Sequence, residues 1–241
     1  TCALGLSRNG FNVSVFEQAP ELSEVGAGLT ITPNATKGLN HLNLGDGIKS
    51  VGMAHTNQGV RHYETGEMIV PLERGEKMMQ KYGAYQFQAH RADVHNLFIE
   101  GMKEHPESKV YVNHMLTDLV EKNGGVELTF NHNEKYEFDF VIGADGNRST
   151  VRSVIIGDDD PEFAGYVGWR GLVNEADLSK ETFNLISDYF CFVLPKNQQF
   201  LTYPVAGIGD KGLEKGKRRI NWLWYKPVTI QEYNDILTGK S

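Results

Sequence analysis

Apolar and polar positions run along this chain in two rhythms, and each change of rhythm marks a change of element. In residues 1–9, Ala3, Leu4 and Leu6 share a short apolar face, and Gly10 follows as the residue type favoured just past a helix end. Residues 11–16 (FNVSVF) then alternate with period two and use β-branched and aromatic side chains, as a strand does. Glu17 closes that strand. Helix followed by strand is the second half of a βαβ unit, whose first strand and glycine turn are expected upstream of Thr1.

Residues 24–35 (EVGAGLTITPNA) carry glycines, a short β-like run and then Pro33, which suits the first turn of a helix reaching about Leu42. A polar, turn-rich stretch over residues 43–83 contains alternating segments that read as one or two hairpins. In residues 91–103 (RADVHNLFIEGMK), Val94, Leu97, Phe98 and Met102 recur at three- and four-residue intervals, the spacing of a buried helix face. Strand-like runs follow at 109–113, 115–121 and 126–130, with Asn123-Gly124-Gly125 as the turn between the last pair. A further strand is expected over residues 137–142, ending at Gly143. The aromatic, β-rich tail from Gly165 to Tyr225 reads as a sheet of its own. Gly157-Asp158-Asp159-Asp160-Pro161 is the expected crossing between lobes, which gives domains at 1–160 and 161–241. Its aspartates read as a water-facing loop rather than a metal site.

Composition narrows the classes without choosing a chemistry. Apolar residues at 40% and charged residues at 23% fit a globular α/β domain and argue against a disordered or coiled-coil chain. A formal charge of −7, from 31 acids and 24 bases, gives no basis for a nucleic-acid partner. No run approaches the about 18 to 20 apolar residues of a membrane span, so no membrane association and a cytoplasmic location are expected. Cys2 and Cys191 are too few for a disulfide scaffold, and the histidines form no metal motif, so no metal is expected.

Two places carry chemistry. Glu17 stands where Rossmann-type folds put an acid that hydrogen-bonds a ribose diol; an ordinary surface glutamate fits the position equally well. The strongest local signal is residues 139–152, DFVIGADGNRSTVR. There Gly143 and Gly146 allow close backbone approach to a ligand, Asp145 and Arg152 add polar handles, and Ser149 opens a helical stretch whose free amides would favour phosphate oxygens. A plain strand-turn-helix connection with a capping serine is the alternative.

GADGNRSTVR resembles the Asp-Gly motif of the single-component FAD-dependent aromatic monooxygenases, the para-hydroxybenzoate hydroxylase-like and salicylate hydroxylase-like family. VFEQA at 15–19, VGAGLTITPNA at 25–35, QAHRADVHNLF at 88–98 and NHMLTDLVE at 113–121 are similar to its other segments, in the same order. The resemblance implies a Rossmann-like FAD-binding domain, incomplete here, with an inserted or following, mostly antiparallel β-sheet substrate domain. It implies that Glu17 binds the adenosine ribose, Arg91 reaches the FAD phosphates or ribityl chain, Leu116 meets adenine through its backbone and Gly28 passes close to the isoalloxazine. Asp145 and Gly146 would serve FAD and the pyrophosphate of NAD(P)H. Arg91 read alone is a salt-bridge partner of Asp93 or Glu100. The family's Gly-x-Gly-x-x-Gly turn and its later Gly-Asp motif are absent, so the chain as given is expected to bind FAD poorly.

The activity so implied is hydroxylation of an aromatic or heteroaromatic ring with NAD(P)H and O2, in which the cofactor does the chemistry and the protein positions the ring and excludes water. A small aromatic substrate is the implied partner, and the resemblance leaves room for a homodimer. Trp169, Arg170, Tyr203 and Trp224 are the substrate-side candidates, each with a packing role as its alternative. Arg170 stands out, because a cation inside an apolar strand needs a match, from substrate, flavin or Glu175. A flavin reductase or dehydrogenase of the same fold, and a non-catalytic binding protein, are the competing readings. The hydroxylase reading supposes that Glu17 and Asp145 converge on one dinucleotide.

Overall fold

The computed structural model describes residues 1–22, 27–54, 57–157, 161–209 and 212–239. Residues 24–26 of the glycine-bearing segment and the aspartates 158–160 lie outside that description. The chain opens with α1 (Cys2–Arg8), which buries Leu4, and Gly10 at φ +82° turns it toward β1 (Ser14–Phe16). After β2 (Gly28–Ile31), Pro33 begins α2 (Pro33–His41), where its fixed φ is already helical and its missing N–H costs nothing. The turn-rich region holds α3 (Gly45–Val51), β3 (Gly52–Ala54), the expected hairpin β4 (Asn57–Arg61) and β5 (Met68–Glu73), and α4 (Gly75–Tyr82). Its sequence announced the hairpin but neither helix. β6 (Phe87–His90) runs directly into α5 (Arg91–Lys103), whose bounds are those of the apolar periodicity.

β7 (Lys109–Tyr111), β8 (Leu116–Lys122), β9 (Gly125–Phe130) and β10 (Lys135–Phe138) follow, then α6 (Thr150–Ile156). The tail supplies β11 (Tyr166–Asn174), α7 (Lys180–Ile186), β12 (Phe190–Val193), β13 (Gln199–Val205), β14 (Arg219–Pro227) and α8 (Ile230–Thr238).

Two compact units emerge, and each is discontinuous: residues 2–23 with 105–164, and residues 24–104 with 165–241. This differs from the contiguous division at 160/161. The reason is a ladder invisible to local pattern: β4 pairs in parallel with β12, Gln58 opposite Phe190, so residues 24–104 group with the C-terminal strands.

In the smaller unit, β1 pairs in parallel with β7, and β10-β9-β8 form an antiparallel sheet. Its core is aromatic: Phe16 stacks on Tyr111 at 5.0 Å and on Phe130 at 4.4 Å, with Tyr136 and Phe138 around it. Such ring pairs add attraction beyond their buried area. The strand expected over 137–142 stops at Phe138. Residues 139–142 join no ladder among the described residues, and Phe140 and Ile142 are exposed. A β-type sequence becomes a strand only beside an edge that takes up its N–H and C=O groups.

The larger unit contains a six-stranded sheet, β11-β14-β13-β12-β4-β5, and a three-stranded antiparallel sheet, β2-β6-β3. Phe190, Leu201, Tyr203 and Val205 make the core on one face of the large sheet.

Candidate functional site

The smaller unit holds Glu17, Leu116, Asp145 and Gly146. Glu17 directly follows β1; its N–H donates to Tyr111 O at 2.8 Å and its carbonyl accepts from His114 N at 2.9 Å. These bonds fix the end of the parallel pair and anchor His114, two residues before Leu116, the first residue of β8. The Glu17 carboxylate accepts from Ala19 N through Oε1 at 2.8 Å.

Asp145 is tied into its own turn. Its Oδ1 accepts from Ser149 Oγ at 2.5 Å and its Oδ2 from Val151 N at 3.1 Å. Partial burial pushes this carboxyl up, but the hydrogen bonds from Ser149 and from the Val151 and Thr150 backbone outweigh it and hold the group below the ordinary aspartate range. Ser149 caps α6, its Oγ accepting from Arg152 N at 3.0 Å, and Arg152 Nη2 donates to Asn147 O at 2.6 Å. The capping role expected of Ser149 is present. The amides of Val151 and Arg152, in contrast, are occupied by Asp145 and Ser149 rather than free for phosphate. Gly146, at φ +83°, keeps an open backbone: a Cβ there would meet nothing within 4 Å.

The larger unit holds Gly28, Arg91 and all of the substrate-side candidates. Gly28 needs its missing side chain, because a Cβ would lie 2.6 Å from Tyr203 Cε2 and 2.7 Å from Asn221 Cγ. Its N–H donates to Asn221 Oδ1 at 2.8 Å. Asn221 did not emerge from sequence; its position inside an aromatic strand, between Ile220 and Trp222, is the only signal it gave. Tyr203 stacks on Phe190 at 4.9 Å, and burial, with Tyr225 nearby, pushes its phenol up to about 12. Arg91 begins α5 and donates its N–H to Ala27 O at 2.8 Å, while Glu100 pairs with Lys103.

Strand register sorts the substrate-side candidates onto opposite faces. Arg170 lies opposite Leu223, which lies opposite Leu201, so Arg170 shares the face of Tyr203. Trp169 lies opposite Trp224, and Trp224 opposite Phe200, on the other face. Side chains alternate along a strand, so the tryptophans point away from Tyr203. Trp224 Nε1 donates to Gln198 there. Arg170 is exposed on edge strand β11 and bears no burial penalty, which removes the reason for singling it out. Glu175 is not its partner: it is buried and binds Arg218 in a two-point pair, at 2.6 and 2.9 Å.

Residues 163–241 match the FAD binding domain-like family. Over 239 residues, 97% of its length, the chain is 33% identical to 6-hydroxynicotinate 3-monooxygenase of Pseudomonas fluorescens. It is 33% identical over 178 residues, 73% of its length, to 3-hydroxybenzoate 6-hydroxylase of Polaromonas naphthalenivorans. It spans 60% of the first of these relatives and 44% of the second. The solved structure of 2,6-dihydroxypyridine-3-hydroxylase from Arthrobacter nicotinovorans matches 95% of this chain at 25% identity and TM-score 0.76, over 54% of that protein. Klebsiella pneumoniae HpxO complexed with FAD and uric acid shares the fold at TM-score 0.76 and 22% identity, over 95% of this chain and 53% of that one.

Fold and matches together define an α/β protein with the Rossmann-like architecture of FAD-binding enzymes. Within that class, the chain is a relative of the FAD-dependent aromatic-ring monooxygenases. No described helix is long and apolar enough to cross a membrane, and no cluster of candidate metal ligands occurs among the described residues.

Proposed function

We propose that this protein hydroxylates an aromatic or heteroaromatic ring, using FAD, NAD(P)H and O2. The observation that carries the reading is the match to an aromatic-ring monooxygenase along nearly the whole chain, and we assign the ribose to Glu17, which directly follows β1. The residues present fit the cofactor. Glu17 spends Oε1 on Ala19, which leaves Oε2 for a ribose hydroxyl, and the bare backbone at Gly146 gives a dinucleotide room to approach. Leu116 would meet adenine through its backbone, and Arg91 would meet the phosphates or ribityl chain.

When bound, FAD supplies the redox chemistry, by which NAD(P)H and O2 give NAD(P)+, water and one hydroxyl on the ring. The chain's own residues bind and orient. The Tyr203 phenol and the Asn221 amide are polar groups set in an apolar wall beside the Gly28 backbone, suited to fixing a ring's direction while the surrounding aromatics keep water out. Tyr203 stays protonated across the physiological range and so can donate a hydrogen bond without becoming a base.

The deciding experiment gives the FAD-reconstituted protein NAD(P)H, a hydroxylated pyridine or benzoate, and 18O-labelled O2. One labelled atom in the product ring per NAD(P)H oxidised is expected. NAD(P)H oxidation without ring labelling would assign the protein to flavin reductases instead.

A further inference from the structure

A second polar site opens beside the Gly28 contact. His90 is the register partner of Gly28 in the β2–β6 ladder, so its side chain lies on the same sheet face, the one that meets Tyr203 and Asn221. Gln88, two residues earlier, shares that face and is wholly buried, with neither end of its amide hydrogen-bonded among the described residues. His90 is only 7% exposed, and its Nε2 likewise has no partner among the described residues. Native interiors seldom leave such atoms unsatisfied unless something else supplies the bond.

His90 lines a cleft of about 410 Å³, a size that suits a small ring. Val51 and Leu213 give it apolar walls, and Asp93 and Arg219 give it opposite charges. Arg219 is held in place because its Nε and Nη2 both donate to Ala206 O, at 3.0 and 2.9 Å, which leaves Nη1 for a ligand. Burial and the Arg219 charge hold His90 below the ordinary histidine range against the opposing pull of Asp93, so the ring is neutral near pH 7 and offers one donor and one acceptor nitrogen.

The charge balance selects the ligand. An anion would gain from Arg219 what it loses to Asp93, and a cation the reverse. A neutral group with an acceptor beside a donor satisfies both. We propose that this cleft binds a small, uncharged heteroaromatic ring with an N–H next to a C=O, Arg219 donating to the carbonyl, Asp93 accepting from the N–H, and His90 bonding a further polar atom of the ring. Calling this ligand the ring that is hydroxylated rests on the function proposed above; its binding does not, and needs no flavin.

The test titrates 2-hydroxypyridine, which in water is mainly the lactam, into flavin-free full chain labelled with 15N-histidine, with benzoate and nicotinamide in parallel. A saturable shift of the His90 ring nitrogens by 2-hydroxypyridine is expected, these signals being assigned by their loss in His90→Phe, with the affinity weakened about tenfold in Asp93→Asn, which replaces a charged acceptor by a neutral one. If His90→Phe does not fold, Asp93→Asn and Arg219→Lys decide. Binding of benzoate or nicotinamide at least as tight as that of 2-hydroxypyridine overturns the proposal, as does an affinity unchanged in Asp93→Asn or the absence of any shift in folded protein. Because ring labelling by 18O2 reads the hydroxylase function separately, either idea can fail without the other.

Discussion

The Gly28 N–H and the Asn221 side-chain carbonyl meet at 2.8 Å across 193 residues of sequence, tying the edge of the small sheet to β14 of the large one. Nothing larger than hydrogen fits at Gly28, because the Tyr203 ring and the Asn221 amide already stand where a Cβ would be. Gly28→Ala is expected to destabilise the protein by about 1–3 kcal/mol, the usual cost of overpacking a filled interior. Chemical denaturation checks this; a midpoint within error of the parent would mean that the contact yields freely.

Breaking the buried ion pair should cost more. Glu175 binds Arg218 at two points and also accepts from Gly216 N at 2.7 Å, while Arg218 Nη2 reaches Ser187 O at 2.9 Å. Arg218→Met leaves a buried carboxylate without its cation, and a loss of about 3–5 kcal/mol is expected. Thermal unfolding of this variant beside Lys49→Met, which breaks only a solvent-exposed pair with Asp46, gives the comparison.

Asp145 predicts a pH dependence with a definite sign. Its folded pKa lies below the ordinary value, so the stability it lends is present at neutral pH and lost as pH falls through the folded pKa. Ser149→Ala removes the leading hydrogen bond to the carboxylate and should move that acid limb upward. It also removes the α6 cap, at a cost of about 0.5–2 kcal/mol. An NMR titration of the Asp145 carboxyl carbon in both proteins reads the shift directly; an identical titration in each would sink the assignment.

Register makes opposite forecasts for two aromatic candidates. Tyr203→Phe should remove a phenol that ionises only at about pH 12 from the ultraviolet titration. In the FAD-reconstituted enzyme it should also lower kcat/KM for the ring, whereas Trp224→Phe, on the far face of the sheet, should leave kcat/KM near the parent value. Equal losses in both would contradict the assignment of faces.

Local chemistry was legible wherever one element decided it. The apolar spacing of Val94 and Met102 set the bounds of α5, and Pro33 marked the start of α2. Asn123-Gly124-Gly125 made its turn, with Gly124 at φ +92°. What depended on a distant partner was not legible. Residues 139–142 carry a strand's alternation but find no edge to pair with, and nothing in the run Trp169-Arg170 says which member faces Tyr203 until β14 is laid beside it. Glu175 lies within five positions of Arg170, yet its partner is Arg218, placed there by the antiparallel return of β14. His90 was hidden for the same reason: its neighbour Arg91 carries the family signal, while its own face is defined by Gly28 across the ladder.

The parallel joining of β4 to β12 has a consequence for how the protein is made. The β4–β5 hairpin leaves the ribosome early, but the strand that completes its inner edge is not synthesised until residues 190–193. Until then the hairpin waits with the β4 edge unpaired, a condition that favours sticking to other nascent chains. Long-range pairing of this kind slows closure of the sheet, so yield should depend on temperature and on chaperone supply during synthesis more than on the stability of the finished fold.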